Sequence, residues 1–308
     1  MSRGPLVVRI CNWVGEVVLS VPTLRRLADS GYELQLVGKP WAPALLEGLG
    51  WPVWVRPAGL RASVAALRSL RTRLGAISPP ALLMTKSLSS ALETRLAGFS
   101  PSGYAHDGRS ILLTNAYALP RFEHASHAYW NLASRFLGAE RAYPTQLDWI
   151  PSARQTATAS ALVHTHGLGV GKFVVLCPLS GPDDLERRKV WSGFSQLALQ
   201  LARGGIVSVV CPGPGEESAM AATVPGAVQL TGIDLGVYGA LQKLSLAVVA
   251  NDTGPGHLAA AVGARLISIY GPQSSGAWVP IGANAQLLRE PSGWPSVERV
   301  AAALMSDP

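Results

Sequence analysis

Two doubly wound α/β domains facing each other across a cleft are what this 308-residue sequence predicts. Three observations carry that expectation. Short apolar runs alternate with helix-like stretches of roughly 12 to 15 residues, the pattern of parallel βαβ units. The alternation comes in two blocks, parted at 143–152 by a stretch with two prolines that reads as extended. The length also suits two domains of about 150 residues each. The domains are placed at 1–150 and 151–308, with the last helix packing in its own domain or back on the first.

The elements follow in order. Residues 6–10, Leu-Val-Val-Arg-Ile, read as a strand, followed by a Gly-containing turn and a helix over about 16–30, which Gly31 stops as a C-cap glycine does. Strands are expected at 33–37, 53–55 and 81–85, with a helix at 60–74 whose apolar residues repeat near 3.6. The region 103–149 is richer in His, Tyr, Trp and Asn and holds one helical stretch, 125–137. The second block opens at 173–176, Phe-Val-Val-Leu, a run suited to a strand buried on both faces. A helix at 191–203, a strand at 206–210, a helix at 237–244 and a strand at 246–250 follow. A helix opening at Pro255, a strand at 266–270 and a helix near 296–305 complete the chain.

Composition excludes several classes. Apolar residues make up 48% and charged residues 15%, the reverse of a disordered chain. Mean hydropathy is +0.23, yet no uncharged apolar run reaches 18 residues, so no transmembrane helix is expected. Arg9 and Glu16 interrupt the one apolar stretch near the N-terminus, which therefore does not read as a signal peptide, and a cytoplasmic location is expected. Cys11, Cys177 and Cys211 are odd in number and far apart, which argues against a disulfide framework or a structural zinc site. The net charge of +7 comes mostly from arginine, 21 residues against 5 lysines. Arginine suits bidentate contact with phosphate, so phosphorylated small molecules and anionic headgroups fit. Nucleic acid is not expected, since the basic residues are scattered and no recognition motif accompanies them.

Four segments could carry chemistry, each at the end of an apolar strand. At 248–261 the strand ends in Asn-Asp-Thr-Gly and a helix opens with Pro255 in its first turn. That places the Thr253 hydroxyl and free N–H groups where a helix dipole favours an anion, with His257 one turn in. The plainer reading is an ordinary N-cap by Asp252 or Thr253. At 178–181, Pro-Leu-Ser-Gly lets a ligand approach the backbone, and Arg187, Arg188 and Lys189 add positive charge at the same rim; a solvated basic loop is the alternative. Asp183 and Asp184 are adjacent and do not face one site, so they read as surface loop and no metal is assigned. At 212–217, Gly-Pro-Gly makes a turn before Glu216 and Glu217, one of which could bind a ribose or simply complement the helix dipole. At 12–16, Asn-Trp-Val-Gly-Glu places a carboxylate, Glu16, where it could act as a general base or as a helix N-terminal charge. No G-x-G-x-x-G occurs, which disfavours hydride transfer.

These segments, in this order, resemble glycosyltransferase family 9, the ADP-heptose:lipopolysaccharide heptosyltransferases. Asn251 to Ala261 is the most specific part, supported by 263–271 with its Tyr-Gly-Pro ending, while Lys189-Val190-Trp191 looks like the family's Lys-x-Trp. Trp13-Val14-Gly15-Glu16 looks like its N-terminal Trp-Ile/Val-Gly-Asp, and the likeness spans about 6–302. It implies a GT-B fold of two Rossmann-like domains and an inverting sugar transfer from an ADP-activated heptose to a lipopolysaccharide core or similar glycan. In the C-terminal domain, Ser180, Lys189, Thr253 and Gly254 would contact the diphosphate, Asp252 and His257 would lie near sugar and phosphates, and Glu217 would take the ribose. In the N-terminal domain Glu16 would be the base, and Arg109 and His124 fall where the family has acceptor-side residues. The ADP-sugar would be a co-substrate, with no metal or other cofactor. The implied partners are the donor, a lipid-linked acceptor and peripheral contact with the inner face of a bacterial inner membrane, without nucleic acid. One departure stands out: the family's base is Asp, and Glu16 reaches one methylene further, about 1.5 Å. Other GT-B enzymes, such as an epimerase, and a silent sugar-nucleotide binder are the competing readings.

Overall fold

The computed structural model describes residues 3–121, 124–179 and 190–306, and the chain divides into two compact units, 1–144 and 145–308. Each unit is built on one six-stranded parallel sheet.

The first unit runs β1 (Gly4–Arg9), α1 (Val14–Asp29), β2 (Tyr32–Gly38), α2 (Ala42–Leu46), β3 (Val53–Val55), α3 (Leu60–Leu74), β4 (Pro80–Leu83), α4 (Leu88–Leu96), β5 (Ser100–Tyr104), β6 (Asn115–Tyr117) and α5 (Ala125–Leu137). Its strand order, β3-β2-β1-β4-β5-β6, is that of a dinucleotide-type doubly wound sheet. Val7, Val37 and Ala81 pack with Val64, Leu67 and Leu70 of α3 in one layer. Helix α1 is buried almost all round, with Val17, Val18, Leu19, Val21 and Leu24 wholly inside, because α5 covers it.

The second unit runs α6 (Ala153–Thr165), β7 (Phe173–Cys177), α7 (Phe194–Arg203), β8 (Val207–Val210), α8 (Glu217–Thr223), β9 (Val228–Gln229), α9 (Leu235–Leu244), β10 (Ala247–Asn251), α10 (Gly254–Ala261), β11 (Leu266–Tyr270), β12 (Ala285–Arg289) and α11 (Val297–Met305). Its order, β12-β11-β10-β7-β8-β9, repeats the first unit's topology strand for strand. Val297, Val300, Ala303 and Leu304 of α11 lie in this unit's own core, against Phe194 and Leu197 of α7.

Several elements lack the sequence pattern that marks the others. β5 reads Ser-Pro-Ser-Gly-Tyr, with no apolar run, yet pairs with β4 along its length. α6 has a weak apolar stripe and is started by a full capping box between Ser152 and Gln155, so the proline-bearing segment leads directly into a helix. β12 and β9 are short or half-exposed edge strands. Among the described residues no helix is long and apolar enough to cross a membrane.

Candidate functional sites

In open parallel sheets ligands bind beyond the carboxyl ends of the strands, at the point where the strand order reverses. Those points lie between β1 and β4 in the first unit and between β7 and β10 in the second.

At the first of them stands Glu16, the third residue of α1. Its carboxylate receives backbone hydrogen bonds from Asn12 and Trp13, as the acidic half of a capping box does. The Tyr129 hydroxyl donates to Glu16 Oε1 at 3.1 Å. Burial pushes the Glu16 pKa above the usual carboxylate range, with Tyr129, the Lys86 charge and the backbone bonds opposing it only in part. Lys86 follows β4, so the two strands that flank the reversal each contribute a charge. Trp13 is 55% exposed, with the Lys39 ammonium 5.3 Å from its ring centre. Beneath, the buried Arg9 donates to the Ile10 and Val37 carbonyls and to Asn12 Oδ1, fixing the loop that leads into α1. Cys11 is buried beside Glu16 as a protonated thiol, its pKa pushed up by burial first and then by the Glu16 charge.

Tyr129 was not expected from sequence, since 113 residues separate it from Glu16. Its position follows from the clamp of α5 on α1. Arg26 of α1 donates to Ser134 Oγ at 2.8 Å and to the Ala139 carbonyl, and lies 4.5 Å over the Trp130 ring. Tyr129→Phe keeps the packing and removes a side-chain donor that favours the charged carboxylate, so it raises the Glu16 pKa. With Glu16 as a general base, the acid limb of the kcat–pH profile should therefore move to higher pH, as steady-state assays across pH would read; an unmoved limb would leave Tyr129 as packing alone.

Arg109 and His124 take other places than open ligand contacts. Arg109 is wholly buried, and its guanidinium donates to the Tyr104 carbonyl at 2.8 Å and the Thr85 carbonyl at 2.6 Å, with longer contacts to Ser87 and Ser90. It braces the loop that carries Lys86. Burial holds its pKa down at about 10, the Asp107 charge opposing. His124 is the N-cap of α5, its Nδ1 accepting from the Ser126 N–H at 3.2 Å.

At the second reversal point, Asn251 ends β10 with no exposed surface. Its Nδ2 donates to the Pro178 carbonyl at 2.5 Å, and its Oδ1 accepts from the Trp191 N–H at 3.1 Å. Asn251 thus ties together the two residues between which Ser180 and Lys189 fall in the sequence. Those two, and the pair Asp183 and Asp184, lie outside the described residues. Trp191 is itself a core residue, donating to the Pro295 carbonyl at 2.8 Å and packing edge-on against Phe194. Sequence places Asn251 in the motif but does not show this role, because the residues it connects are 60 or more positions away.

Thr253 caps α10, its Oγ1 accepting from the Gly256 N–H at 3.4 Å, and Gly254 is the first helical residue. A Cβ on Gly256 would stand 3.3 Å from Ala250 Cβ and 3.4 Å from the Asn251 carbonyl, so the turn stays close to β10. Asp252 accepts from the Tyr270 hydroxyl at 3.2 Å, a proton Tyr270 shares with the Trp278 carbonyl at 2.8 Å. Burial first, and then the Asp252 charge, pushes the Tyr270 pKa up. His257 is buried in the same helix, one turn from Thr253. Glu217 stands exposed at the start of α8, while Glu216 bends back to accept from the Gly213 N–H at 2.9 Å. β10, β7 and β8 are neighbours in the sheet, so Thr253, the 180–189 segment and Glu217 follow the carboxyl ends of three adjacent strands. The other two cysteines are buried thiols, with Cys177 Sγ 3.0 Å from the Tyr238 hydroxyl. Among the described residues no three His, Cys, Asp or Glu side chains gather as a metal cage.

Two parallel sheets of identical winding, each with polar residues at its reversal point, define a GT-B type of α/β protein. The family model for glycosyltransferase family 9 (heptosyltransferase) matches residues 68–305, and the chain belongs to that family. It is a glycosyltransferase. No curated protein sequence matches it significantly. Among solved structures it is similar to the glycosyl transferase family 9 protein from Veillonella parvula, at 19% identity and a TM-score of 0.80 over 93% of this chain and 86% of that one. It is similar to ADP-heptose lps heptosyltransferase II of E. coli, at 21% identity and a TM-score of 0.77 over 99% and 98%. Heptosyltransferase WaaC of E. coli, solved with ADP, matches at 21% identity and 0.73 over 97% of both chains.

Proposed function

We propose that this enzyme transfers a heptose from an ADP-activated donor to a lipopolysaccharide core or similar lipid-linked glycan, inverting the anomeric centre. The observation that carries the reading is Glu16: a carboxylate at the first reversal point, held by Tyr129 and raised in pKa, suited to act as a general base. The neighbour solved with ADP and the family itself support the donor.

In the proposed reaction Glu16 takes the proton of the acceptor hydroxyl. The freed oxygen forms its bond to the anomeric carbon on the face opposite the diphosphate, and the bond from that carbon to the phosphate oxygen breaks. The electron pair leaves with ADP. Negative charge thus grows on the diphosphate, where Ser180, Lys189, Thr253, Gly254 and the α10 N-terminus would stabilise it. Asp252 and His257 would serve the sugar and phosphates, and Glu217 the ribose. Lys189 and the helix supply the positive charge, so no metal is proposed. Arg109 and His124 would serve the acceptor through the loop and helix they hold. A cytoplasmic enzyme touching the inner face of a bacterial membrane suits a lipid-anchored acceptor.

Product analysis with ADP-heptose tests this. An inverted glycoside formed only with acceptor is the expected result; an epimerised nucleotide sugar without acceptor, or binding without turnover, would replace the reading. For the donor site, a Lys189→Ala, Thr253→Val double variant should lose ADP affinity by tenfold or more in calorimetry, since a hydrogen bond to a charged group contributes about 1.5 to 3 kcal/mol. ADP binding equal to that of the parent would remove these residues from the site.

A further inference from the structure

Between Glu47 and Asp107 the chain has seven basic residues and a single acid, Glu93, which accounts for nearly the whole net charge of +7. Glu93 is buried and held by Arg56, so it neutralises nothing on the surface. Arg61, Arg68 and Arg73 of α3 and Arg95 of α4 are all exposed. α3 and α4 pack side by side, and Arg68 Nη2 joins them by donating to the Leu96 carbonyl at 3.1 Å. Leu60 and Leu96 remain 42% and 46% exposed among these cations. They border a shallow groove of about 570 Å³ that Val64 and Ala65 also line.

We propose that this α3–α4 face docks on an anionic lipid bilayer. Charge complementarity selects the partner: lipid phosphates meet an all-cationic surface, and the leucines between the guanidiniums add apolar contact at the headgroup boundary. A nucleic-acid surface would call for aromatic stacking groups among the cations, and the exposed side chains interleaved here are leucines. The proposal gives a location to the membrane contact read above, and its test needs neither donor nor acceptor, so failure of one reading does not carry the other.

The full chain is sedimented with vesicles of phosphatidylglycerol and phosphatidylcholine, with phosphatidylcholine alone, and with duplex DNA as a competitor of like charge. Binding to the anionic vesicles that fades with added salt is expected. An Arg61→Ser, Arg68→Ser, Arg95→Ser variant should lose vesicle affinity on the order of 100-fold, about fivefold for each cation removed. A Lys172→Ser, Arg203→Ser, Lys243→Ser variant loses the same charge from exposed sites in the second unit and should bind nearly as the parent does. Both variants change only exposed side chains, and equal melting temperatures confirm their folding. Equal losses in the two variants, equal binding to neutral vesicles, no vesicle binding at low salt, or preference for DNA would each overturn the proposal.

Discussion

Glu16→Gln should lower kcat by about 100-fold or more and leave donor affinity nearly unchanged. The amide keeps the shape and still accepts the Tyr129 hydrogen bond, but takes no proton, so the loss falls on the chemical step. Because burial lifts the Glu16 pKa, the parent's activity should fall as pH drops through a range above that of an ordinary carboxylate. The sign follows from the base being active only when deprotonated. In Glu16→Gln that acid limb should vanish along with the rate. Glu16→Asp restores the residue that the family motif carries. A higher kcat in that variant would mean the acceptor still sits for the shorter side chain, and a lower one that it has moved to suit Glu. Misplacement by about 1 Å is enough to cost about 100-fold, so either outcome is readily measured. Full activity in Glu16→Gln would leave this carboxylate as a helix N-terminal charge.

What could be read in advance divides along a physical line. β1, β7, β10 and β11 are buried over most or all of their length, and such strands are largely apolar, which makes them visible as runs. β5 is hidden because its residues answer to a neighbour: a Cβ on Gly103 would come within 2.9 Å of Arg109 Nη2, so the strand stays small where that guanidinium passes. Its local composition resembles a turn while its partners make it a strand.

The sites divide in the same way. Residues proposed to meet a ligand sit in short contiguous motifs, since one strand end and one helix start supply several of them, as with Asp252, Thr253 and Gly254. Residues that hold those motifs in place come from elsewhere. Tyr129 reaches Glu16 from α5, and Asn251 joins Pro178 to Trp191 across the sheet. Arg109 shows the converse, a lone arginine whose sequence position suggested a ligand and whose bonds all go to the protein.

The largest stability effect is expected at Glu93→Ala. Glu93 is 3% exposed and accepts from Arg56 Nε at 2.9 Å, from Arg56 Nη2 and from Ser63 Oγ at 2.8 Å. Burial by itself would raise its pKa, but Arg56 and Ser63 outweigh burial and hold it below the usual range. It also faces Arg9, whose own pKa burial brings down to about 10, with Arg56 adding repulsion and Glu93 opposing it. Removing the one carboxylate leaves two guanidiniums unneutralised under the sheet, and breaking a buried pair in this way costs about 3 to 5 kcal/mol. At roughly 2 to 4 °C for each kcal/mol in a domain of this size, the first unit should melt some 10 °C lower. Hydrogen exchange localises the effect: amides of β1 and β2 should lose protection while those of β7 and β10 keep theirs. The linkage has a definite sign. A carboxyl whose folded pKa lies below its unfolded value adds stability that is full above the unfolded pKa and is lost as pH falls through the folded one. The gap between parent and variant should therefore be widest near neutral pH and close in acid. Equal melting of parent and variant at pH 7 would show that Arg9 and Arg56 are solvated well enough not to need Glu93.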